Sequence, residues 1–313
     1  MGGERFQEPR THNLAIASCG GVDKPGRRDH LPPLRTECLG KKARSAAIFR
    51  RMELRGHTIL ITGGAGGIGL ALADALSRRE NTVFICGRTA AKLEAARQHN
   101  SRLRTIPCDI TKEEDVRQAL ARIRNAGASV SILVNNAAVG HPYSLARDSQ
   151  SCQKAEQEIA TNLLAPIRLT TLLLPTLLQQ PAAAILNVTS GFALWPWFIA
   201  PGYSASKAGL RAFTLALRVQ LRNTRVRVFE ALPPLVDTPL IAEVRGKKLP
   251  PHLVAERILA GMAKDRLEIV IGKSRLIRIF ARLCPGLLQR VLLRYPVKFE
   301  EMENFSRNAQ GRP

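Results

Sequence analysis

The chain has 313 residues, 45% hydrophobic and 23% charged, and its six cysteines (Cys19, Cys38, Cys86, Cys108, Cys152 and Cys284) form no CxxC pair. That pattern speaks against a disulfide framework, a cysteine zinc site and a redox pair. It leaves a globular protein of a reducing compartment, read as cytoplasmic, with chain enough for a large core and no metal. The formal net charge of +22 raises the question of an anionic partner.

The excess sits at the ends: residues 1–51 hold eleven Lys or Arg against five acids, and residues 264–298 hold nine against two. Neither end adds interleaved aromatics or a nucleic-acid-binding signature, so no nucleic-acid partner is expected. The most apolar stretch, Leu163 to Leu178, is interrupted by Arg168 and two prolines and falls short of the ~18 uninterrupted residues of a spanning helix. Residues 1–30 lack the apolar segment of a signal peptide.

Residues 1–51 are rich in Gly, Pro and Arg without apolar periodicity, which predicts a disordered basic extension. Met52 stands just before the first strand, and residues 52–273 are expected to form one domain. From His57 the run HTILITGGAGGIG reads as strand and glycine turn, followed by an amphipathic helix through Leu70, Leu72, Ala73 and Leu76. Gly63 permits a tight exit from the strand, Gly67 lets backbone approach a pyrophosphate, and Gly69 lets the helix pack closely.

The next strand, Thr82 to Cys86, ends in Gly87-Arg88 with no acid where a ribose with free hydroxyls would want one. Arg88 there favours the 2′-phosphate of NADP(H), with NAD(H) as the alternative. A third strand, Arg104 to Cys108, runs into Asp109, which is suited either to cap the following turn or to accept a hydrogen bond from adenine; Glu113, Glu114 and Asp115 then open a helix. A fourth strand, Val130 to Val134, ends in Asn135-Asn136-Ala137-Ala138, small and amide residues suited to line a crevice. A long helix from about Ser149 to Leu178 is expected to break at Pro166 and Pro175. Within it Asn162 must knit a backbone kink or hold a water. Strand Ala183 to Val188 then leads to Thr189-Ser190, and Tyr203 and Lys207 follow at helical spacing, on one face.

Taken together these residues resemble the short-chain dehydrogenase/reductase family over about Leu54 to Val270. TGGAGGIG matches its TGxxxGxG turn, Asp109 its adenine-side aspartate and NNAA its NNAG segment, and Asn162, Ser190, Tyr203 and Lys207 fall in the order and spacing of its catalytic tetrad. The stretches EQEIATNLLAPIRLT and PPLVDT are similar to bacterial DltE-type oxidoreductases. The chain departs from the family pattern at Ala138, tolerable where φ is negative, and at Pro233-Pro234, which stiffens a turn.

The resemblance implies an α/β fold, a Rossmann-type doubly wound parallel sheet in a single domain with basic terminal extensions, and a homo-oligomer. It also implies hydride transfer between a nicotinamide and a carbonyl or secondary alcohol of a small substrate. Thr62, Gly63, Gly67, Ile68, Gly69, Arg88, Asp109, Asn136, Thr238, Tyr203 and Lys207 would hold the cofactor. Tyr203 would be the general acid/base, its pKa lowered from ~10 by Lys207. Ser190 would donate to the substrate oxygen, and Asn162 would hold a water. Trp195, Trp197 and Phe198, in the loop before Tyr203, would wall an apolar substrate pocket unless the tryptophans pack elsewhere.

Residues 274–313 read as a basic amphipathic helical segment. Leu276, Ile277, Ile279, Phe280, Leu283, Leu287, Leu288, Val291 and Leu292 alternate with five arginines, and Pro285 divides the stretch into two short helices. Such a segment can cover the pocket, join a dimer or make peripheral contact with an anionic membrane, and the first two are favoured for a dehydrogenase. The alternative for the whole chain is a catalytically idle cofactor-binding adaptor, recruited to anionic membranes or partners by its basic termini.

Overall fold

The computed structural model describes residues 52–294 except 243, 245, 273, 285, 288–289 and 292–293. The expected disorder of residues 1–51 and most of the second C-terminal helix lie outside the described residues. Seven parallel strands form one sheet in the order β3-β2-β1-β4-β5-β6-β7. They are β1 (Thr58–Thr62), β2 (Thr82–Gly87), β3 (Leu103–Pro107), β4 (Ile132–Asn135), β5 (Ala183–Val188), β6 (Val226–Leu232) and β7 (Glu268–Val270). The order reverses between β1 and β4, and it is outside the carboxyl ends at such a switch point that open α/β sheets bind ligands.

Alternation along β1 divides the core in two. Ile59 and Ile61 join Leu72 and Leu76 of α1 (Gly67–Ser77), Leu93 of α2 (Ala90–His99) and Val254 and Ile258 of α7 (Pro251–Ala263) on one face. Leu60 joins Val116 and Ile123 of α3 (Glu113–Asn125), Leu169 and Leu173 of α5 (Ala165–Gln179) and Leu217 of α6 (Pro201–Gln220) on the other. With helices on both faces the strands are buried and nearly continuous in apolar residues. The fold is thus the expected doubly wound sheet.

The long helix departs from expectation. It starts at α4 (Ser151–Ile159), passes through a single wide turn at Ala160–Leu164 and continues as α5 without a break. Pro166 has no N–H for the carbonyl four residues back, and a π turn just ahead of it absorbs the mismatch. Pro175 lies inside α5. The carbonyl it leaves unpaired belongs to Thr171, an exposed residue, so water can take its place. The uninterrupted run Ser151–Gln179 is long and apolar enough to cross a membrane by composition alone, where sequence predicted no such stretch. It packs Ala165, Leu169, Leu173 and Leu177 into the core.

Candidate active site

The glycine turn does what its residue types require. Gly63 and Gly67 adopt φ of 63° and 53°, the left-handed region that glycine enters without strain. A methyl on Gly69 would come within 2.3 Å of the Gly63 carbonyl oxygen, so only glycine lets α1 begin this close to β1. The α1 N-cap, Gly66, supplies no side-chain hydrogen bond to the first turn, and those N–H groups open on a cavity of about 580 Å³. An uncapped helix N-terminus facing a cavity is an anion site.

The cavity runs from Arg88 and Asp109 at one end, past Gly67, Ile68 and Asn136, to Ser190, Tyr203 and Lys207 at the other, with Thr238 along its wall. Asp109 caps the turn that follows it and also borders the cavity. Its Oδ1 accepts from the Thr111 N–H and hydroxyl at 3.0 and 2.7 Å, while the side chain lines the cavity. Burial pushes its pKa up, but those two bonds with Arg88 and Lys112 outweigh it, holding the group below the ordinary carboxylate value. Lys92 joins Arg88 at this end, a second cation that sequence reading passed over.

Two cofactor candidates serve the frame. Thr62 is buried; its hydroxyl donates to the Val134 carbonyl at 3.3 Å and accepts from the Asn136 and Ala137 N–H groups at 3.0 Å, stitching β1 to the end of β4. Asn136 lines the cavity but donates its amide to the Thr62 and Gly63 carbonyls. Ala138 is not among the residues with positive φ, so its methyl is accommodated.

At the other end, the run Tyr203-Ser-Ala-Ser-Lys207 at the start of α6 divides its side chains by helical phase. Ser204 Oγ accepts from the Trp197 N–H at 2.8 Å and fixes the preceding loop. Ser206 takes a 3.0 Å bond from Asn162. Lys207 is buried and donates Nζ to the Val188 carbonyl at 2.9 Å; Nζ also lies 5.7 Å from the Tyr203 ring centroid. The Tyr203 hydroxyl hydrogen-bonds the Ser190 hydroxyl, and Ser190 in turn accepts from the Phe192 N–H at 3.1 Å.

Electrostatics at this end differ from the expectation that Lys207 lowers Tyr203. Burial pushes the phenol up to about 12, with the Ser190 bond pulling down and the Glu158 carboxylate pushing up. Burial also depresses Lys207 to about 7. The tyrosine is therefore held as an acid rather than as a base.

Asn162 sits in the wide turn with its amide fully engaged. Oδ1 accepts from the Val139 N–H at 2.9 Å, and Nδ2 donates to the Val139 carbonyl at 2.8 Å. These bonds are the backbone knitting that the sequence allowed for.

The aromatic wall is also redistributed. Trp197 lines the cavity, but the ring stacked on it at 5.0 Å is Phe192, which also meets Tyr203 edge-on at 6.5 Å. Trp195 and Phe198 stand outside the lining. Leu240, Ile241 and Val244 supply the opposite apolar side. The wall pairs residues some fifty positions apart, a proximity no local pattern signals.

Sequence reading also missed Glu158, one helical turn before Asn162 on the same face. It is fully buried and accepts from the His141 N–H at 2.7 Å, the Tyr143 hydroxyl at 3.2 Å and the Tyr203 N–H. Tyr143 completes the arrangement by accepting from the Gly202 N–H at 2.9 Å. Together the two side chains cap the start of α6, whose own N-cap residue, Ala200, has none to offer. Gly202 is required there: a methyl would lie 2.4 Å from Glu158 Oε2.

Burial raises the Glu158 pKa to about 7 against those bonds and Lys154. Between the unfolded value near ~4.3 and about 7 the folded state holds the extra proton, so this group's contribution to stability falls as pH rises through that window and is constant above it. Glu158→Ala should erase that slope in urea titrations across pH. It should also leave the buried Tyr143 hydroxyl and two half-buried backbone N–H groups unpaired, at a net cost of about 2–4 kcal/mol at acidic pH. An unchanged slope would assign the titration to another group.

A family model described as short chain dehydrogenase matches residues 57–249. The oxidoreductase DltE of Bacillus subtilis (strain 168) is 40% identical over 198 residues, which is 63% of this chain and 78% of that protein. A fatty acyl-CoA reductase of Acinetobacter baylyi (strain ATCC 33305 / BD413 / ADP1) is 28% identical over 249 residues, covering 77% and 84%. Among solved structures, a short chain dehydrogenase from Burkholderia cenocepacia J2315 in complex with NADP superposes with a TM-score of 0.69 at 26% identity, covering 77% of this chain and 99% of that one. With the glycine turn, the switch-point cavity and the Ser190–Tyr203–Lys207 end in place, the match over residues 57–249 makes this chain a member of the short-chain dehydrogenase family.

Proposed function

We propose that the chain is an NADP(H)-linked reductase of apolar carbonyl compounds, working in the alcohol direction when supplied with the oxidised cofactor. The observation that carries this is one continuous cavity with two cations, Arg88 and Lys92, at one end and Ser190, Tyr203 and Lys207 at the other. The residues fit a dinucleotide: the open α1 N-terminus suits a pyrophosphate, Asp109 an adenine, Arg88 and Lys92 a 2′-phosphate. When bound, the nicotinamide supplies or accepts the hydride.

The chain's own part is a proton and a place for developing charge. Ser190 and the Tyr203 hydroxyl, already hydrogen-bonded to each other, would both donate to a substrate oxygen. Tyr203 then passes its proton to that oxygen as it gains negative charge. A phenol held at about 12 keeps its proton at neutral pH, the state in which it can act as the acid of the reduction. Phe192, Trp197, Leu240 and Val244 exclude water and favour an apolar substrate, in keeping with the acyl-group chemistry in the name of the Acinetobacter relative.

Free thiols at Cys86, Cys108, Cys152 and Cys284 fit a reducing, cytoplasmic setting. Exposed Leu164 and Leu178 near and on α5 with Leu215 and Val219 on α6 give a homo-oligomer apolar surface to bury.

The test is nicotinamide fluorescence on titration with NADPH and NADH, followed by turnover over a panel of aliphatic and aromatic carbonyl compounds. Arg88→Ala is expected to weaken NADPH about 10- to 100-fold while leaving NADH nearly unchanged, because only one cofactor carries the 2′-phosphate. Unaltered NADPH affinity in that variant would remove the preference. Firm NADPH binding with no carbonyl reduced would turn the assignment to the idle adaptor.

A further inference from the structure

The helix that follows β7, α8 (Ser274–Leu283), is mounted with its apolar side outward. Ser274 is buried and Ile277 and Ala281 are half-buried against the body, while Leu276, Ile279, Phe280 and Leu283 are 59%, 48%, 49% and 72% exposed. A surface helix of a globular protein ordinarily turns that stripe to the core, and exposed apolar residues grouped in this way mark a contact surface. The helix is not loosely placed. Arg278 bonds Glu268 at 2.5 Å, and Glu268 is held in turn by Arg211 at 2.7 Å. Its inner side rests on the start of the substrate loop, where a methyl on Gly191 would come within 2.8 Å of Ser274 Oγ and 3.7 Å of Ile277 Cδ1.

Beside the stripe, and sharing Ile279 with it, a cleft of about 520 Å³ lies between α7, β7 and α8. Arg257, Lys264, Arg266, Arg275 and Arg278 line it against one carboxylate, Glu268, which Arg211 and Arg278 already occupy. Arg257, Lys264 and Arg266 are exposed and carry no side-chain hydrogen bond or ion pair among the described residues. A basic cleft continuous with an outward apolar stripe has the chemistry of an interface with anionic, phosphate-bearing lipid. A second copy fits less well: an isologous contact on this face would bring like arginines together, and α8 has no acidic residue to pair with them.

We propose that α8 and the α7–β7–α8 cleft form a docking surface for an anionic bilayer, with Leu276, Ile279, Phe280 and Leu283 entering the acyl boundary and Arg257, Lys264 and Arg266 meeting the headgroup phosphates. Docked in this way, the side of the molecule that carries the start of the substrate loop faces the bilayer, the phase in which an apolar carbonyl compound would be dissolved. The binding itself stands whether or not the chain reduces a carbonyl.

The experiment is flotation of the full chain with phosphatidylcholine vesicles, with and without phosphatidylglycerol, at low and high salt. Wild type should float only with the anionic vesicles, and less at high salt. The triple variants Arg257→Glu/Lys264→Glu/Arg266→Glu and Ile279→Ser/Phe280→Ser/Leu283→Ser should each bind about tenfold more weakly or worse. All six side chains are exposed, so thermal unfolding midpoints should match wild type, and Phe280→Ser alone serves if a triple variant does not fold. Failure of wild type to float, equal binding to neutral vesicles, or full binding retained by the charge-reversed protein would overturn the proposal; the last outcome would place binding in residues 1–51. A stripe variant that changes oligomeric state while floating like wild type would make the stripe a protein interface instead.

Discussion

Tyr203→Phe is expected to lower carbonyl reduction by about 10³-fold while leaving NADPH affinity within about twofold, because it removes the transferred proton and little else. The ring is fixed by contacts a phenylalanine keeps: Phe192 lies edge-on at 6.5 Å, and a methyl on Gly140 would come within 3.1 Å of its Cδ2. The loss should therefore appear in kcat rather than KM, read as single-turnover decay of nicotinamide fluorescence. Turnover equal to wild type would sink the proton-donor role, and loss of cofactor binding would show that the hydroxyl holds the fold or the cofactor instead.

Lys207→Met should separate activity from stability in opposite directions. Burial depresses this ammonium to about 7, from an ordinary value near ~10.4. Within that interval the folded chain binds fewer protons than the unfolded one, so stability rises with pH across it; below about 7 a charged group is confined in the core. The methionine variant lacks that slope and should gain stability relative to wild type at pH 6, less the roughly 1 kcal/mol of the hydrogen bond lost at the Val188 carbonyl. Catalysis should fall by about 10²-fold, since an ammonium 5.7 Å from the Tyr203 ring, although burial dominates in the resting phenol, offsets the negative charge that develops as the proton leaves. The same reasoning gives wild-type reduction a decline as pH rises through about 7, which is absent in the variant. A pH profile identical in both proteins would detach Lys207 from the proton transfer.

Legibility in the sequence followed the range of the interaction. The glycine turn and strand β5 were readable because positive φ, close helix approach and buried β-strand composition are local demands, and β5 was placed residue for residue. Pro166 and Pro175 carry the same local signal, yet one sits in the first turn of α5 directly after a wide turn and the other lies well inside α5. The difference is which backbone carbonyl each leaves unpaired and what surrounds it. Glu158 left a faint trace, an acid four residues before Asn162, but its meaning depends on three donors from the loop after β4 and the start of α6. For the apolar wall the sequence offered Trp197, in the loop before Tyr203, but no sign of Phe192, Leu240 or Val244 beside it.

By itself the sequence determined the glycine turn and the strands and helices around it, because these follow from residue type and local spacing; the doubly wound sheet and the set Asn162, Ser190, Tyr203 and Lys207 followed from the family resemblance that those motifs carry. Tertiary structure alone decided the charge states and the surroundings: that Tyr203 is pushed up and Lys207 down, that Phe192 stacks on Trp197, and that α8 turns its apolar side outward. Desolvation and packing depend on what the rest of the chain brings within a few ångströms, and spacing along the chain does not encode that distance.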